Sequence, residues 1–280
     1  MEKYTHEQAE KILQRLREME SEEAVRITTS EQKQALPMSA SKFGGLPYWI
    51  FGEDYPRDED GEPLYLLAQI NFADVPHLPD YPERGLLQIF VQKGEPWGCD
   101  YGAEQTDWRI VWHDEISESN AMSERALREM GVKTAADNDE KSLSKALPFE
   151  KEYALSFKKI ASVINPRIEG FDERVQQIAK EQGFPLFEGS SYDWFDDDDF
   201  VSFYDGENGM HQIGGFPFFT QDDVRRKGDI LLFQMDSERE NDSDIWKILW
   251  GDSGVANFFI AREDLKKRDF SNVLYNWDCM

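Results

Sequence analysis

Cysteine is almost missing from this chain. Only Cys99 and Cys279 occur in 280 residues. That excludes a disulfide framework and a cysteine zinc pattern, and leaves two free thiols. Histidine is also scarce: His6, His77, His113 and His211 share no metal-ligand spacing. No apolar run approaches the roughly 20 residues that span a bilayer. The first twenty residues are charged throughout and lack an apolar leader core, so a cytoplasmic protein is expected. Positive charge is the other deficit. There are 31 Lys and Arg against 56 Asp and Glu, for a formal net charge of −25. Such a surface repels phosphate backbones and anionic lipid heads, so neither nucleic acid nor a membrane is an expected partner. It attracts a basic protein or a cation. No P-loop, dinucleotide fingerprint or Gly-x-Ser-x-Gly elbow occurs, and no cofactor is expected.

What is abundant is aromatic side chain. With 19 Phe, 10 Tyr and 8 Trp, the chain can bury a large core. Thr5 and Gln8 fit a capping box, and Ile12, Leu13, Leu16 and Met19 recur at helical spacing. This predicts a peripheral helix over 5–22. From about Lys42 the pattern changes to short apolar runs cut by Gly, Pro and Asp, which read as strands over 65–72, 86–92 and 109–112. A polar connection over 115–150 holds a short helix from Ser123 to Met130, closed by Gly131, then a surface loop over 134–144. The second half, 151–280, opens on the alternation Tyr153, Leu155, Phe157. A helix from Asp172 as N-cap to Gly183 follows. Further strands are expected over 200–204, with a turn at 205–209, and over 230–235, 246–250, 255–260 and 272–277. One helical turn fits 263–268.

Self-similarity is the most informative feature. Phe43-Gly44-Gly45-Leu46-Pro47-Tyr48-Trp49 reads like Ile213-Gly214-Gly215-Phe216-Pro217-Phe218-Phe219. Leu66 to Asn71 reads like Leu231 to Asp236, and Gly85 to Val91 like Gly254 to Ile260. A looser pair is 110–112 with 274–277. The three main blocks keep one order at offsets of 170, 165 and 169. The expected fold is therefore α+β: mainly antiparallel β, a tandem duplication of a β-rich motif in one globule, with a few peripheral helices. The repeats are placed at 41–114 and 211–277. Each Gly-Gly step permits positive φ, and Gln69 and Gln234 each sit inside an apolar strand. If they point inward they must bond something. Either each ties a loop in its own half, or the two face each other across a groove that holds a ligand.

These residues also carry a family likeness. The stretches are Gly44 to Trp49 continued by 60–64 and 67–72, His211 to Pro217 with 220–222, and Trp250 to Ile260. In them the chain resembles the YwqG-like bacterial proteins, a family defined as a domain of unknown function, from about Leu36 to Cys279. The resemblance implies a compact mixed protein with a duplicated β motif and brings no established activity. Some relatives sit in bacterial toxin–immunity loci, which implies a protein-binding role.

Four motifs invite chemistry. Gly251-Asp252-Ser253-Gly254 is similar to a protease nucleophile signature, but Val255 stands where the second Gly belongs and neither His113 nor His211 has the matching setting. A tight turn with Asp252 bonding backbone is the simpler reading. Asp58 to Gly61 has the wrong residues, Pro56 and Leu67, at the ends of a calcium loop, and reads as an acidic hairpin turn. Asp196, Asp197, Asp198 and Asp199 form an acidic run beside Trp194. They suit a solvated loop, weak calcium or magnesium binding, or a contact patch with Trp194 as its aromatic anchor. His211 opens the second Gly-Gly block and has Ser41 or Lys42 as its counterpart. The candidate contacts are these acids, Trp194, His211, Gln69, Gln234, Trp250 and Asp252. The expected function is a protein-binding module, either of the immunity type for a basic toxin or for another basic protein. The alternatives are a hydrolase with a carboxylate-based site and a small-ligand or divalent-metal-binding protein with a groove between the halves.

Overall fold

A computed structural model describes residues 2–99, 104–137, 145–196, 198–199, 210–240 and 243–279. Ten strands make one antiparallel sheet in the order β12-β11-β8-β7-β1-β6-β2-β3-β4-β5. The strands are β1 (Ser21–Ser30), β2 (Lys42–Phe43), β3 (Tyr65–Asn71), β4 (Leu86–Val91), β5 (Trp108–His113), β6 (Tyr153–Val163), β7 (Gln212–Gly214), β8 (Asp229–Asp236), β11 (Val255–Ala261) and β12 (Leu274–Asp278). β9 (Glu238–Arg239) and β10 (Trp246–Ile248) form a separate two-stranded sheet. The expected strand at 246–250 thus leaves the main sheet. The strand and turn expected over 200–209 and part of the loop expected over 134–144 lie outside the described residues.

The sheet curls so that its two flanks share one core. Phe43 of β2 meets Phe233 of β8 edge-on at 5.9 Å, and Trp108 of β5 meets Tyr275 of β12 at 5.4 Å. Alternation sends the intervening side chains to the outer face, where two smaller clusters lie. One, on the β3–β4 flank, is built on Trp49, Leu66, Phe90 and Leu127. The other, on the β8–β11 flank, joins Leu231 and Phe259 to two helices, α1 (His6–Met19) and α3 (Phe171–Glu181). Between α1 and α3 in sequence comes α2 (Glu124–Glu129), capped by Ser123 and closed by Gly131 at φ +87°. A one-turn α4 (Ser191–Trp194) follows α3, and a further short helix spans Arg262–Lys267. No helix among the described residues is long and apolar enough to cross a membrane.

The first correction concerns residues 21–30. The predicted helix over 5–22 ends at Met19, and the chain turns at Glu20 into β1, a central strand. Val25 and Ile27 alternate toward the core while Arg26 and Thr28 point away, a pattern hidden behind the charged Ser21-Glu22-Glu23 entry. β1 pairs with β6 along ten residues and also with β7, whereas β6 pairs with β2. The strand order consequently has the same form from both edges. The second correction is the start of α3: its N-cap is Gly170 at φ +89°, and Asp172 lies inside the helix, where its carboxylate accepts the Ser191 N–H at 3.2 Å.

Candidate functional site

Two rows of polar side chains cross the outer face of the sheet. On one flank Lys42, Gln69 and Gln88 lie directly opposite one another on β2, β3 and β4. On the other, Gln212, Gln234 and Asn257 do the same on β7, β8 and β11. Gln69 Oε1 accepts the Tyr48 N–H at 2.9 Å, and Gln88 Nε2 donates to the Tyr48 carbonyl at 2.7 Å. Gln234 Oε1 accepts the Phe218 N–H and Asn257 Nδ2 donates to the Phe218 carbonyl, both at 2.8 Å. Each pair of amides grips both backbone groups of the residue that follows the Gly-Gly-x-Pro turn. Gln69 Nε2 also donates to Met38 and Ala40, and Gln234 Nε2 to Met210. The polar groups of Gln69 and Gln234 are therefore engaged by loops on their own flanks. Their partners Gln88 and Asn257 escaped notice in the sequence, although both lie in the third matched block.

Both turns use two consecutive left-handed glycines. Gly44 and Gly45 have φ +67° and +74°, Gly214 and Gly215 +70° and +73°. A Cβ on Gly45 would stand 2.0 Å from Glu152 Oε1, and one on Gly215 would stand 2.5 Å from the Ser162 Cβ. The glycines thus let the first turn lie against Glu152 at the entry to β6, and the second against β6 and against Ala24 of β1.

His211 is buried at the edge of this framework. Its Nδ1 accepts the Asp236 N–H at 3.0 Å, so the ring proton sits on Nε2, which donates to Glu238 at 3.1 Å. Ser41 does the same on the other flank: its hydroxyl accepts the Asn71 N–H and donates to Asp74, both at 2.9 Å. Thr29 and Lys247 also bond Glu238, at 2.6 and 3.0 Å. Burial alone would raise the Glu238 carboxyl, but the bonds from His211, Thr29 and Lys247 outweigh it and bring it down to about 2. Asp236 moves the other way, pushed up to about 7 by burial against the opposing effects of the Ser237 N–H and Arg26.

The remaining predicted contacts fall apart spatially. Trp194 is 2% exposed, so it is a core side chain and no projecting anchor; its indole N–H donates to the Glu188 carbonyl at 3.0 Å. Asp196 pairs with Lys3 at 3.2 Å and Asp199 is buried against His6, which ties the acidic run to the start of α1. Asp198 is exposed, and Asp197 lies outside the described residues. Among the described residues no group of three or more His, Cys, Asp or Glu is disposed to hold a metal. Trp250 is fully buried against Trp97 and Trp277. Asp252 is exposed in a turn closed by the Gly254 N–H on the Trp250 carbonyl at 2.7 Å, and its carboxylate takes no part in that closure. The turn at Asp58 is a hairpin in which its carboxylate accepts the Glu62 N–H at 2.8 Å.

A family model described as a domain of unknown function, DUF1963, matches residues 41–279. The chain belongs to the DUF1963 family. A comparison with curated proteins finds no match. The matched stretch contains both amide rows and both Gly-Gly turns of this DUF1963 protein, whereas α1 and β1 precede it.

Two hollows stand out, the first beside this framework and the second away from it. One, of about 230 Å³, lies beside Gly45 and is lined by Leu36, Met38 and Leu46 with Lys42 and Glu152. Lys42 is 1% exposed and its ammonium sits 3.1 Å from Glu152, with burial holding its pKa below the usual lysine range despite that partner. The second hollow is an open groove of about 680 Å³ between α3 and the segment 186–189. Leu186 and Phe187 supply its apolar surface with the buried Trp194 behind them, and Asp172, Glu173 and Glu188 supply its acids.

Proposed function

We propose that this DUF1963 protein is a cytoplasmic binding module for a basic protein, its frame derived by tandem duplication of a β-rich motif. The charge carries the functional reading: a net −25, on a surface where many of the Lys and Arg side chains are already held by neighbouring acids, leaves the excess carboxylates free to attract a cationic partner. The resemblance to YwqG-like proteins, with relatives in toxin–immunity loci, points the same way. The duplication is supported by the matching amide grips, by the paired glycines, and by a bulge that falls at Leu67 on one flank and Leu232 on the other. The test is capture from a lysate at low salt with an equally acidic control protein, followed by calorimetry on the purified candidate. A basic protein enriched over the control, bound stoichiometrically and released as salt rises, is the expected result. Capture indistinguishable from the control removes the reading.

One observation favours a second reading, a small-ligand site at Lys42. A buried ammonium is costly, and Gln212 fills the corresponding place on the other flank with a neutral amide bonded to Gly214 and Phe216. The hollow combines apolar side chains such as Leu36, Met38 and Leu46 with charged ones of both signs, and the buried Lys42 ammonium is the polar group it could turn to a small ligand. A metabolite screen by thermal shift tests it: a ligand that stabilises the native chain but not Lys42→Gln supports this reading.

A further inference from the structure

We infer that the groove between α3 and residues 186–189 is where a basic partner docks, and that it takes an extended segment carrying an aliphatic or aromatic residue flanked by Lys or Arg. This rests on the basic-partner reading above. Leu186 is 55% exposed, an aliphatic side chain held out toward solvent at the mouth of an apolar hollow. Phe187 continues that surface inward, backed by the buried Trp194. Acids stand on both banks: Asp172 and Glu173 at the start of α3, and Glu188 across from them. Lys180 is the one cation among the lining residues.

The groove is also pinned open. Gln176 Nε2 donates to the Phe187 carbonyl at 2.6 Å, the Trp194 indole donates to the Glu188 carbonyl at 3.0 Å, and Asp172 holds the Ser191 N–H. Two bonds from α3 hold the far bank and a third, from Trp194 of α4, braces it from behind, so binding need not first order it. An apolar floor with a charged rim is the anatomy of a protein contact, and here the rim selects for a cationic segment. A second copy of this chain, itself strongly acidic, is the occupant this rim disfavours.

The test uses a fluorescently labelled peptide of alternating Lys and Leu, with anisotropy read at low salt. Leu186→Ser leaves the charge unchanged and should lower affinity about tenfold, while Glu173→Gln with Glu188→Gln should lower it several-fold. The distant pair Glu59→Gln and Glu62→Gln removes the same charge on the hairpin turn and should change it no more than about twofold. Circular dichroism and thermal midpoint of each variant check that the fold is kept. Equal losses from the near and distant pairs, with Leu186→Ser binding like the native chain, would overturn the groove while leaving the basic-partner reading to the lysate capture. Sedimentation of the free protein gives a monomer on this account. A dimer broken by Leu186→Ser would assign the groove to a second copy instead and also overturn the inference.

Discussion

A glutamine in the middle of a buried strand is an expense unless all its bonding groups are used, and Gln69 uses them all. It holds the Tyr48 N–H, the Gln88 amide and the carbonyls of Met38 and Ala40. Gln69→Leu should therefore cost about 2–4 kcal/mol in urea unfolding, because it strands several buried groups at once. A loss below about 1 kcal/mol would mean that these bonds are readily replaced by water. The glycines give a sharper comparison. Ala at Gly45 and at Gly52 both incur the left-handed backbone cost of about 1–2 kcal/mol. Only Gly45 also displaces Glu152 and thereby unpairs buried Lys42; a Cβ at Gly52 meets nothing within 4 Å. Gly45→Ala should be the worse by about 3 kcal/mol, and equal losses would show that Glu152 is not needed there. The glutamines and the Gly-Gly steps were legible as sequence oddities. The job of His211 was not, because a histidine and a serine do the same work on the two flanks and nothing in their residue types says so.

The acid pair beside His211 predicts opposite pH slopes. Glu238, with its carboxyl at about 2 in the fold, adds stability that is complete above the ordinary value of 4.5 and lost as pH falls from there toward 2. Asp236, raised to about 7, holds its proton in the fold after the unfolded chain has released it, so its contribution is complete below 3.8 and lost as pH rises from 3.8 to 7. Asp236→Asn should make the stability profile less steeply falling across that interval. A variant whose slope there equals the native one would place the raised group elsewhere.

At the level of elements, the strand legible least well matters most. β1 follows a helix after a single residue and opens on charged side chains, so helical spacing overran it. Its role is set by neighbours distant in sequence: Arg26 lies between Gln212 on one side and Lys158 on the other. Pairing of that range cannot be read from local pattern. The matched family region begins at residue 41 and so omits this strand, yet β6 and β7 both depend on it. Cutting the chain to 41–279 should abolish cooperative thermal unfolding, and adding back residues 1–40 as a separate peptide should restore some of it. A truncated chain that melts cooperatively near the native midpoint would show that β6 and β7 can close on each other without β1. The strands after Lys42 were legible because Gly, Pro and Asp punctuate them; that both sets share one sheet was not, because the flanks are joined through β1 and β6, which lie far apart in sequence.

Across the whole molecule, charge and topology set two responses to salt with opposite signs. The sheet carries both flanks in one core, so the chain must confine an excess of 25 negative charges on a single compact body. Self-repulsion then opposes folding, and added salt screens it with a Debye length that shortens to about 10 Å at 0.1 M. The thermal midpoint should accordingly rise as sodium chloride is added from low ionic strength to the physiological range, and rise similarly with potassium chloride, because the effect is screening. Divalent magnesium at matched ionic strength should add little, since the described residues form no metal cluster. Binding of a basic partner should weaken over the same range, because the same carboxylates that repel one another attract it. A midpoint that falls with salt would mean that the surface ion pairs, such as those of Arg128 and Arg262, stabilise the fold more than the excess charge strains it. A magnesium response far above that of the monovalent salts would instead reveal a cation site and turn attention back to the acidic run.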